Sequence, residues 1–516
     1  MLLMVLNAII IGVLSSLMIF YIVRGLDDAD FSYGIVAFSL AFIGMWLGIT
    51  KLLKSAHIKR ISEGKDLGKC IGTYIAGKIL LTVISLIFLF ITLLVFGSGF
   101  ESPEHRNVIY FLIIFLILEN LNDIFISTFE ARLEIAKIEI GKLIFNVVRM
   151  GAVVFVVINQ LGIYGLAGTY LFSILFQTIF YLLMFKGYRI KRPSWPLMKS
   201  YIRFAIPLFI ATIVGLAASV SINRVIIGFF WSPEDVGNYF AAWRMISSTN
   251  LIFVVGILLF PTFSKFHSEK LYSRISEYTY KAEKYIALFL LPAIVILILF
   301  PKDLVIIFLS DSFHPAVPMI RIMAISALFT ALNVPYISQI LGTDRPWIYA
   351  FVGIIQGILN GLFLVLLIPN SLFGINLPGM KGTGAAAATL ISSVAIFILV
   401  RFIVRKYIVT RTKPNWRMIR FVLSGTILAV FFLILNLIFP LRVLPEAIDA
   451  VLSWISPVIS EFGYLFAVPI YFLVGLAAHF LILYIIREIT KNDLRYFLDV
   501  FNPKKMFVYI RDEIKG

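Results

Sequence analysis

The chain has 516 residues, of which 60% are apolar and 14% are Asp, Glu, Lys or Arg, against roughly 25% charged residues in a soluble domain. This composition excludes a soluble globular protein and indicates an integral membrane protein. The net charge of +17 would suggest nucleic-acid binding in a soluble domain. In a membrane protein, basic residues first serve as topology signals, so we expect no nucleic-acid partner.

Apolar stretches that could cross a bilayer, at ~20 residues for each helical span, recur fourteen times along the chain. The first seven lie at about 2–23, 32–50, 71–97, 108–129, 143–159, 163–185 and 204–229. The other seven lie at about 236–261, 285–300, 316–341, 347–369, 382–400, 421–440 and 464–486. The sequence therefore predicts an all-α polytopic membrane protein with fourteen transmembrane helices.

The distribution of basic residues predicts the orientation of these spans. Of the 45 Lys and Arg residues, 35 fall in the even-numbered loops and the C-terminal segment, five in the odd-numbered loops and five in spans. Because positive charge is retained on the cytoplasmic side, we expect both termini in the cytoplasm. The basic clusters at 186–203 and 401–420 then anchor the protein on the anionic headgroups of membrane lipids.

Short matching strings indicate an internal repeat. Tyr33-Gly34 in span 2 matches Val236-Gly237 in span 8, and Leu121-Asn122 in span 4 matches Leu332-Asn333 in span 10. Each unit has six helices, an even number, so the two are expected to be related by a pseudo-two-fold axis along the membrane normal. We therefore expect an N-terminal six-helix lobe at 1–200, a C-terminal lobe at 201–410, and helices 13 and 14 with a cytoplasmic tail at 411–516.

Motifs for metal binding or ATP hydrolysis are not convincing in this sequence. The single cysteine and five dispersed histidines do not have the spacing of metal ligands. Residues 72–79 nearly match a P-loop, but Ile79 replaces the hydroxyl residue that binds magnesium and no strand precedes it. We expect no metal centre, no cofactor and no enzymatic activity.

Charged residues inside the spans are candidates for function, since an unpaired charge in mid-bilayer costs at least ~3 kcal/mol. Counted along the spans, Lys78, Asp123 and Arg149 lie at one depth near the cytoplasmic side, and Glu119 lies one helical turn above Asp123. Two acids and two bases can neutralise one another. Structural ion pairs and a proton or sodium relay are therefore both open interpretations for these four residues.

The outer half of the spans differs because it contains arginines without acids. Arg224, Arg244 and Arg321 lie roughly 8 to 12 Å below the outer edge, and Arg24 lies at the outer end of span 1. Arginine stays ionised and presents paired donors that suit phosphate. We predict that Arg24, Arg224 and Arg244 bind an anionic substrate, and that Arg321 extends to the headgroups.

Several strings resemble those of the polysaccharide-biosynthesis flippases in the multidrug/oligosaccharidyl-lipid/polysaccharide exporter superfamily. The matching strings are RGL at 24–26, FSYG at 31–34, LGIT at 47–50, FAIPL at 204–208, VGNY at 236–239, LFP at 259–261 and GTGAA at 382–386. Each string is weak alone, but together and in this order they are fairly specific.

The resemblance implies a flippase of the cell membrane that moves a lipid-linked oligosaccharide, on a polyprenyl or dolichyl phosphate carrier, to the outer leaflet. It implies alternating access through a cationic central cavity, and a monomer that works beside glycan-assembly enzymes. Relatives often have an acid before the arginine of span 7, where this chain has Asn223. Asn223 and Asn360 could still offer neutral oxygens to a cation, although buried hydrogen bonding is the commoner use of such residues.

Three alternative functions stay open. A flippase for the peptidoglycan precursor lipid II would have the same architecture and a substrate of the same charge. A cation-coupled multidrug exporter is less favoured, because it would typically have twelve helices and an acidic cavity. A membrane glycosyltransferase or polymerase is least favoured, since the longest outer loop, at about 441–463, is too short for a catalytic domain.

Overall fold

The computed structural model describes residues 2–96, 103–216, 219–247, 262–267, 269–343, 345–407, 418–441 and 463–489, and the single residues 259, 443 and 448. The helices of the first half are α1 (Leu2–Gly25), α2 (Ala29–Thr50), α3 (Lys54–Ser62), α4 (Leu67–Phe96), α5 (Pro103–Ala131), α6 (Ile135–Ile158) and α7 (Gly162–Phe185). Those that follow are α8 (Trp195–Leu216), α9 (Val220–Phe230), α10 (Pro233–Ser247), α11 (Tyr272–Leu299), α12 (Pro301–Phe308), α13 (Ala316–Gly342), α14 (Pro346–Leu367), α15 (Lys381–Tyr407), α16 (Met418–Ile438) and α17 (Gly463–Ile485).

One small hairpin interrupts this helical architecture between α14 and α15. Strand β1 (Ser371–Leu372) pairs antiparallel with β2 (Ile375–Asn376), and Ser371 lies opposite Asn376. The turn places Gly374 at φ 79°, in the left-handed region that glycine tolerates best.

Eleven helices of the described residues are long and apolar enough to cross a membrane, and they coincide with predicted spans 2–6 and 9–14. Predicted span 1 is α1, and span 7 is divided between α8 and α9. Span 8 begins as α10, but residues 248–258 lie outside the described part of the chain. The prediction of an all-α polytopic membrane protein is confirmed, whereas the total of fourteen and the two repeats stay predictions.

Several helices begin earlier than the apolar stretches that predicted them. Helix α6 begins at Ile135 rather than at 143, and α11 begins at Tyr272 rather than at 285. The added turns carry charged residues such as Lys142 and Lys281. Backbone hydrogen bonding continues through these turns because long charged side chains can reach water from a helix end. Hydropathy locates the membrane-embedded part of a helix, not its full length.

The described contacts divide the chain into two compact units, Met1–Ile275 with Leu304–Ile408, and Ser276–Asp303 with Val409–Gly516. In the second unit, the buried imidazole of His479 on α17 contacts Ser424 Oγ of α16 at 3.2 Å and the Leu288 carbonyl of α11 at 3.0 Å. These hydrogen bonds join three helices through one polar side chain. The three predicted segments 1–200, 201–410 and 411–516 stay a prediction.

Helices α2 and α10 of the first unit approach closely at two glycines. A Cβ atom at Gly34 would overlap the carbonyl oxygen of Pro233, and one at Gly237 would lie against the carbonyl of Asp30. Only glycine therefore allows these two backbones to pack at this separation. The approach brings Tyr33 of α2 next to Phe240 of α10.

Candidate functional site

Three arginines from different helices meet a group of aromatic rings in the first unit. Arg149 comes from α6, Arg224 from α9 and Arg244 from α10. Tyr33 interacts electrostatically with all three guanidinium groups, and Arg244 with both Arg149 and Arg224. We call the following set the arginine–aromatic cluster: Arg149, Arg224, Arg244, Tyr33, Tyr170, Phe240 and Trp243.

Phe240 lies at the centre of the arginine–aromatic cluster. The ring of Tyr33 stacks on it with centroids 5.3 Å apart and the planes 24° from parallel. The guanidinium carbon of Arg224 lies 4.3 Å from the Phe240 centroid, and that of Arg244 lies 5.6 Å from it. Trp243 stacks against Phe240 at 5.6 Å and lies 5.7 Å from the Arg244 guanidinium. These distances lie within the range of cation–π attraction, which partly replaces hydration of the two cations.

The sequence of α10 explains how this helix presents Phe240, Trp243 and Arg244 together. Residues three and four positions apart lie on neighbouring turns of one helix face, so Phe240 is next to both others. Pro233 occupies the first helical position, where its missing N–H costs nothing. Acids in the first turn and Arg244 in the last turn both oppose the helix dipole, so the charges of α10 favour its helical form.

Two arginines of the cluster are buried and Arg244 is half-buried, and none of them has an acidic partner among the described residues. Arg149 is 6% exposed and Arg224 9% exposed, and Arg149 lies 3.7 Å from the centroid of Tyr170. Arg224 donates hydrogen bonds to the Ala37 carbonyl at 3.0 Å and to Ser221 Oγ at 3.4 Å. The Nε atoms of Arg149, Arg224 and Arg244 are buried and have no hydrogen-bond partner among the described residues. None of the three forms an ion pair within that part of the chain, so the cluster can offer donors and positive charge to an anion.

A second charged group, on α4 and α5, is neutralised internally. Lys78 Nζ lies 2.6 Å from Asp123 Oδ2, and the two residues are 1% and 7% exposed. Tyr74 OH donates a hydrogen bond of 2.9 Å to the same Asp123 oxygen. Glu119 is half-buried and interacts electrostatically with Lys51, Asp123 and Lys78. This geometry supports the structural ion-pair interpretation for Lys78 and Asp123, because a buried carboxylate is stable when a cation and a donor both contact it.

The Lys78–Asp123 pair continues into a network that joins α3, α4, α5 and α8. His57 stacks on Tyr74 with centroids 4.2 Å apart, and its Nδ1 lies 3.1 Å from Tyr201 OH. His57 Nε2 lies 3.1 Å from Thr128 Oγ1. All four of these side chains are buried, so the network fixes the amphipathic helix α3 against the membrane helices.

The structure corrects the expectation that Arg149 belongs with Lys78, Glu119 and Asp123. Arg149 contacts Tyr170 and interacts with Arg244, a residue that the sequence placed in the outer half. Helix α6 begins at Ile135 rather than at 143, which puts Arg149 near the middle of a 24-residue helix and not close to its start. Arg149 therefore adds a third cation to the predicted substrate-binding pair Arg224 and Arg244.

Arg24 has a different environment from the one that its predicted role requires. Its side chain is exposed, and its Nε donates to the Leu309 carbonyl at 3.2 Å. Its Nη2 donates to the carbonyls of Ile306 at 2.6 Å and Ile307 at 2.8 Å. These acceptors lie at the C-terminal end of α12, where carbonyls lack helical partners and attract cations. In this conformation Arg24 caps a helix, whereas Arg321 is exposed near the start of α13, as snorkelling would require.

Asn223 and Asn360, the candidate cation ligands, lie in one buried neutral network. Asn360 Nδ2 donates to Asn223 Oδ1 at 3.3 Å, and Asn223 Nδ2 donates to Tyr239 OH at 2.6 Å. Asn223 Nδ2 also reaches Thr389 Oγ1 at 3.3 Å, and Ser392 Oγ donates to Asn360 Oδ1 at 3.4 Å. Each amide oxygen thus already accepts a hydrogen bond, and these contacts include no carboxylate. The geometry favours a structural hydrogen-bond network over a cation site.

Sequence reasoning missed the aromatic members of the cluster and the His57 network. The spacing of Phe240, Trp243 and Arg244 on one helix was a usable signal, since it places two rings beside a charged residue. Tyr33 and Tyr170 carried no such signal because their partners are distant in sequence. The partners of His57, Tyr201 and Thr128, are likewise brought together only by packing.

The fold is shared with solved transporters. The lipid II flippase MurJ in an inward closed conformation superimposes with a TM-score of 0.71 at 14% identity, covering 95% of this chain and 99% of that chain. An inward-facing multidrug resistance MATE family transporter gives a TM-score of 0.58 at 15% identity, covering 76% of this chain and 94% of that one. The chain therefore shares the all-α, multi-pass fold of these solved membrane proteins.

The sequence comparison specifies the family. The polysaccharide biosynthesis protein family matches residues 9–318, more than half of the chain, and the chain belongs to this family. The probable low-salt glycan biosynthesis flippase Agl15 of Haloferax volcanii is 24% identical over 341 residues, which are 66% of this chain and 69% of that protein. The resemblance predicted from the sequence is confirmed by this family match, and this relative is named a flippase rather than an enzyme.

Proposed function

We propose that the chain moves a polyprenyl (pyro)phosphate-linked oligosaccharide from the cytoplasmic to the outer leaflet of the cell membrane by alternating access. The arginine–aromatic cluster binds the phosphate of this lipid. The observation that carries the proposal is that buried Arg149, buried Arg224 and half-buried Arg244 form no ion pair within the described chain. The relative named as a glycan biosynthesis flippase supports a lipid-linked glycan as the cargo.

Phosphate is the ligand that best suits these three side chains. Buried cations repel one another and lose hydration, so the cluster gains most from a group with several negative oxygens. Hydrogen bonds from guanidinium to phosphate are charge-assisted and about twice as strong as neutral ones. A cationic drug would instead meet three positive charges. The cluster therefore disfavours the multidrug-exporter alternative, while a lipid II substrate carries the same phosphate chemistry.

Substrate access requires a change of conformation. The rings of Tyr170 and Phe240 cover guanidinium groups, Tyr33 stacks on Phe240, and Tyr33 and Phe240 are themselves buried. The close approach of α2 and α10 at Gly34 and Gly237 keeps these rings together. Separation of α2 from α10 would uncover the arginines, which is the motion that alternating access needs.

The central test is transport by arginine variants in proteoliposomes. Arg224→Ala and Arg244→Ala should each slow delivery of a labelled lipid-linked sugar to the outer leaflet by about tenfold to a hundredfold, as expected for loss of a charged hydrogen bond. Arg244→Lys should retain part of the rate, because a point charge still attracts phosphate. Arg321→Ala, which removes an exposed arginine, is the matched control and should stay active. Wild-type rates in both Arg224→Ala and Arg244→Ala would refute phosphate binding by the cluster.

The direction of transport depends on the proposed orientation, with both termini in the cytoplasm. In a Cys70→Ser background, a cysteine in place of exposed Phe373 should react with an impermeant thiol reagent added outside cells. A cysteine in place of exposed Arg192, in a predicted cytoplasmic loop, should react only after permeabilisation. The reverse pattern would contradict the orientation without bearing on the phosphate site.

A further inference from the structure

A groove lined by basic side chains opens between the α3–α4 turn and the first turns of α8. Two cavities of about 540 Å³ each share Arg60, Pro196 and Ser200, so they form one continuous depression. We call it the basic groove. It uses no residue of the arginine–aromatic cluster, and its charged lining consists of Arg60, Lys65, Lys69, Lys199, Arg203, Glu63 and Asp66.

The two acids of the basic groove are already paired. Glu63 lies 2.6 Å from Arg60 Nη1, and this hydrogen bond lowers the pKa of the Glu63 carboxyl. Asp66 lies 2.6 Å from Lys191 Nζ, and that contact, with the Lys69 amide, lowers the pKa of Asp66. Both acids are therefore ionised, and their charge is cancelled by neighbours. The basic side chains of the groove are left with a net positive field.

Four lining cations form no ion pair within 4 Å among the described residues: Lys65, Lys69, Lys199 and Arg203. Arg60 also lines both cavities, and its Nη1 pairs with Glu63. Clustering of cations without counter-charges is unfavourable unless a mobile or bound anion screens them. The groove thus has the positive charge that an anion would neutralise.

The start of α8 adds to this positive field. Ser194, Pro196 and Leu197 line the groove at the N-terminal end of a 22-residue helix. Unpaired backbone amides at a helix N-terminus carry partial positive charge and favour anions. Lys199 lies in the second turn of that helix, so its charge does not complement the dipole. Helix stability alone does not account for a cation at this position.

The aromatic side chains around the groove indicate the level of the lipid headgroups. Trp195 begins α8 and is 73% exposed. Phe204 lines the groove, and Lys59 Nζ lies 4.5 Å from its ring centroid. Tryptophan is enriched at membrane–water interfaces, and α8 enters its apolar part directly after Phe204. A ligand in the groove would therefore meet water on one side and acyl chains on the other.

We propose that the basic groove is a second anion site, which binds the phosphate headgroup of a lipid at the membrane surface. The favoured ligand is a resident anionic phospholipid such as phosphatidylglycerol. Its phosphate can accept hydrogen bonds from Lys199 and Arg203 while its chains lie beside α8. A zwitterionic lipid such as phosphatidylcholine also carries a positive ammonium group, which the cations of the groove repel. It therefore binds less well than phosphatidylglycerol. The phosphate of a polyprenyl carrier has the same chemistry, and the experiment separates these two sources.

Native mass spectrometry of the full chain in detergent tests this proposal. Phosphatidylglycerol, phosphatidylcholine and undecaprenyl phosphate are added separately, and the lipids retained per protein are counted. Lys199→Ala/Arg203→Ala should weaken retention of phosphatidylglycerol by about thirtyfold, since each of the two basic residues near a membrane surface contributes ~1 kcal/mol. The matched control is Lys270→Ala/Arg274→Ala, which removes two exposed cations beside the start of α11, outside both basic clusters.

The outcomes are distinct. Weakened phosphatidylglycerol binding in the groove variant, unchanged binding in the control and little phosphatidylcholine binding anywhere would support a phospholipid site. The same pattern with undecaprenyl phosphate alone would support the phosphate site and identify the carrier lipid as its ligand. Equal losses in both variants, or no retention of either anionic lipid by the wild type, would overturn the proposal. Melting temperatures equal to the wild type establish that each variant is folded.

Discussion

The Lys78–Asp123 pair and the arginine–aromatic cluster are two ways of placing charge inside a membrane protein. The first joins one cation to one anion at 2.6 Å, with a tyrosine hydroxyl completing the site. The second gathers Arg149, Arg224 and Arg244 around aromatic rings, with no acid among their described partners.

The difference concerns what each region needs from outside the chain. The ion pair is satisfied by the protein and can stay buried throughout a transport cycle. The cluster has positive charge and three buried Nε donors that the described residues leave without partners, so it is best stabilised by an anionic ligand. A structural charge site should therefore fail in stability when it is altered, and a binding site should fail in transport.

The largest expected effect on stability is at Lys78. Lys78→Ala leaves the buried Asp123 carboxylate without its cation and should lower the free energy of unfolding by about 3–5 kcal/mol. Lys78→Met/Asp123→Leu, which removes both charges, should recover most of this loss. Denaturation of the purified protein in detergent measures both. The control is Lys281→Ala at an exposed ion pair, where the loss should stay below ~1 kcal/mol. If Lys78→Ala were as stable as Lys281→Ala, Lys78 would not be needed to stabilise the fold.

At Arg149 we expect the opposite result, a small change in stability and a large loss of transport. Arg149→Met removes a cation–π contact worth ~1 kcal/mol but also relieves repulsion from Arg244, so stability should change by less than about 1 kcal/mol. Transport of lipid-linked sugar should nevertheless fall about tenfold, because one phosphate-binding charge is lost. Arg149→Lys, which keeps the charge, should be intermediate. If Arg149→Met strongly lowered the free energy of unfolding while the folded fraction transported at the wild-type rate, the role of Arg149 would be structural, like that of Lys78.

The smallest expected effect is at Glu134, an acid neutralised at the edge of the membrane helices. Burial alone would raise its pKa, but hydrogen bonds from Lys137, Tyr188 and Arg132 lower the pKa from 4.5 to about 2. A carboxyl with a lowered pKa stabilises the fold above pH 4.5, and this contribution disappears as the pH falls toward 2. We expect less than about 1 kcal/mol, because Glu134 remains partly exposed.

Melting temperatures of the wild type and Glu134→Gln, measured from pH 6 down to pH 3, test this expectation. The melting temperature of the wild type should exceed that of Glu134→Gln at pH 6, and this difference should shrink as the pH falls toward 3. A constant difference across this range would mean that the three hydrogen bonds do not depend on the charge of the carboxylate.

Much of the site was accessible from the sequence through individual residues. Arg224 and Arg244 stood out because charged residues are rare in apolar spans, and the structure places both in one cluster. Lys78 and Asp123 were grouped by depth, and the structure gives them a direct contact. The sequence grouped Arg149 with Lys78 and Asp123, whereas in the structure Arg149 contacts Tyr170. It assigned Arg24 to substrate binding, whereas in the structure Arg24 caps α12. The partners of Arg24 lie more than 280 positions away, and no local pattern could indicate them.

The sequence by itself determined the class of protein, most of its membrane helices and the identity of its buried charges. Hydropathy and charge act locally, so a single chain displays them directly. Only the tertiary structure decided which charges meet one another. Helix α6 starts outside the apolar stretch that predicted it, so Arg149 lies near the middle of the helix. Close packing at Gly34 and Gly237 brings the aromatic rings of α2 and α10 together. Whether a buried charge is neutralised by its own chain or left for a ligand depends on such long-range contacts.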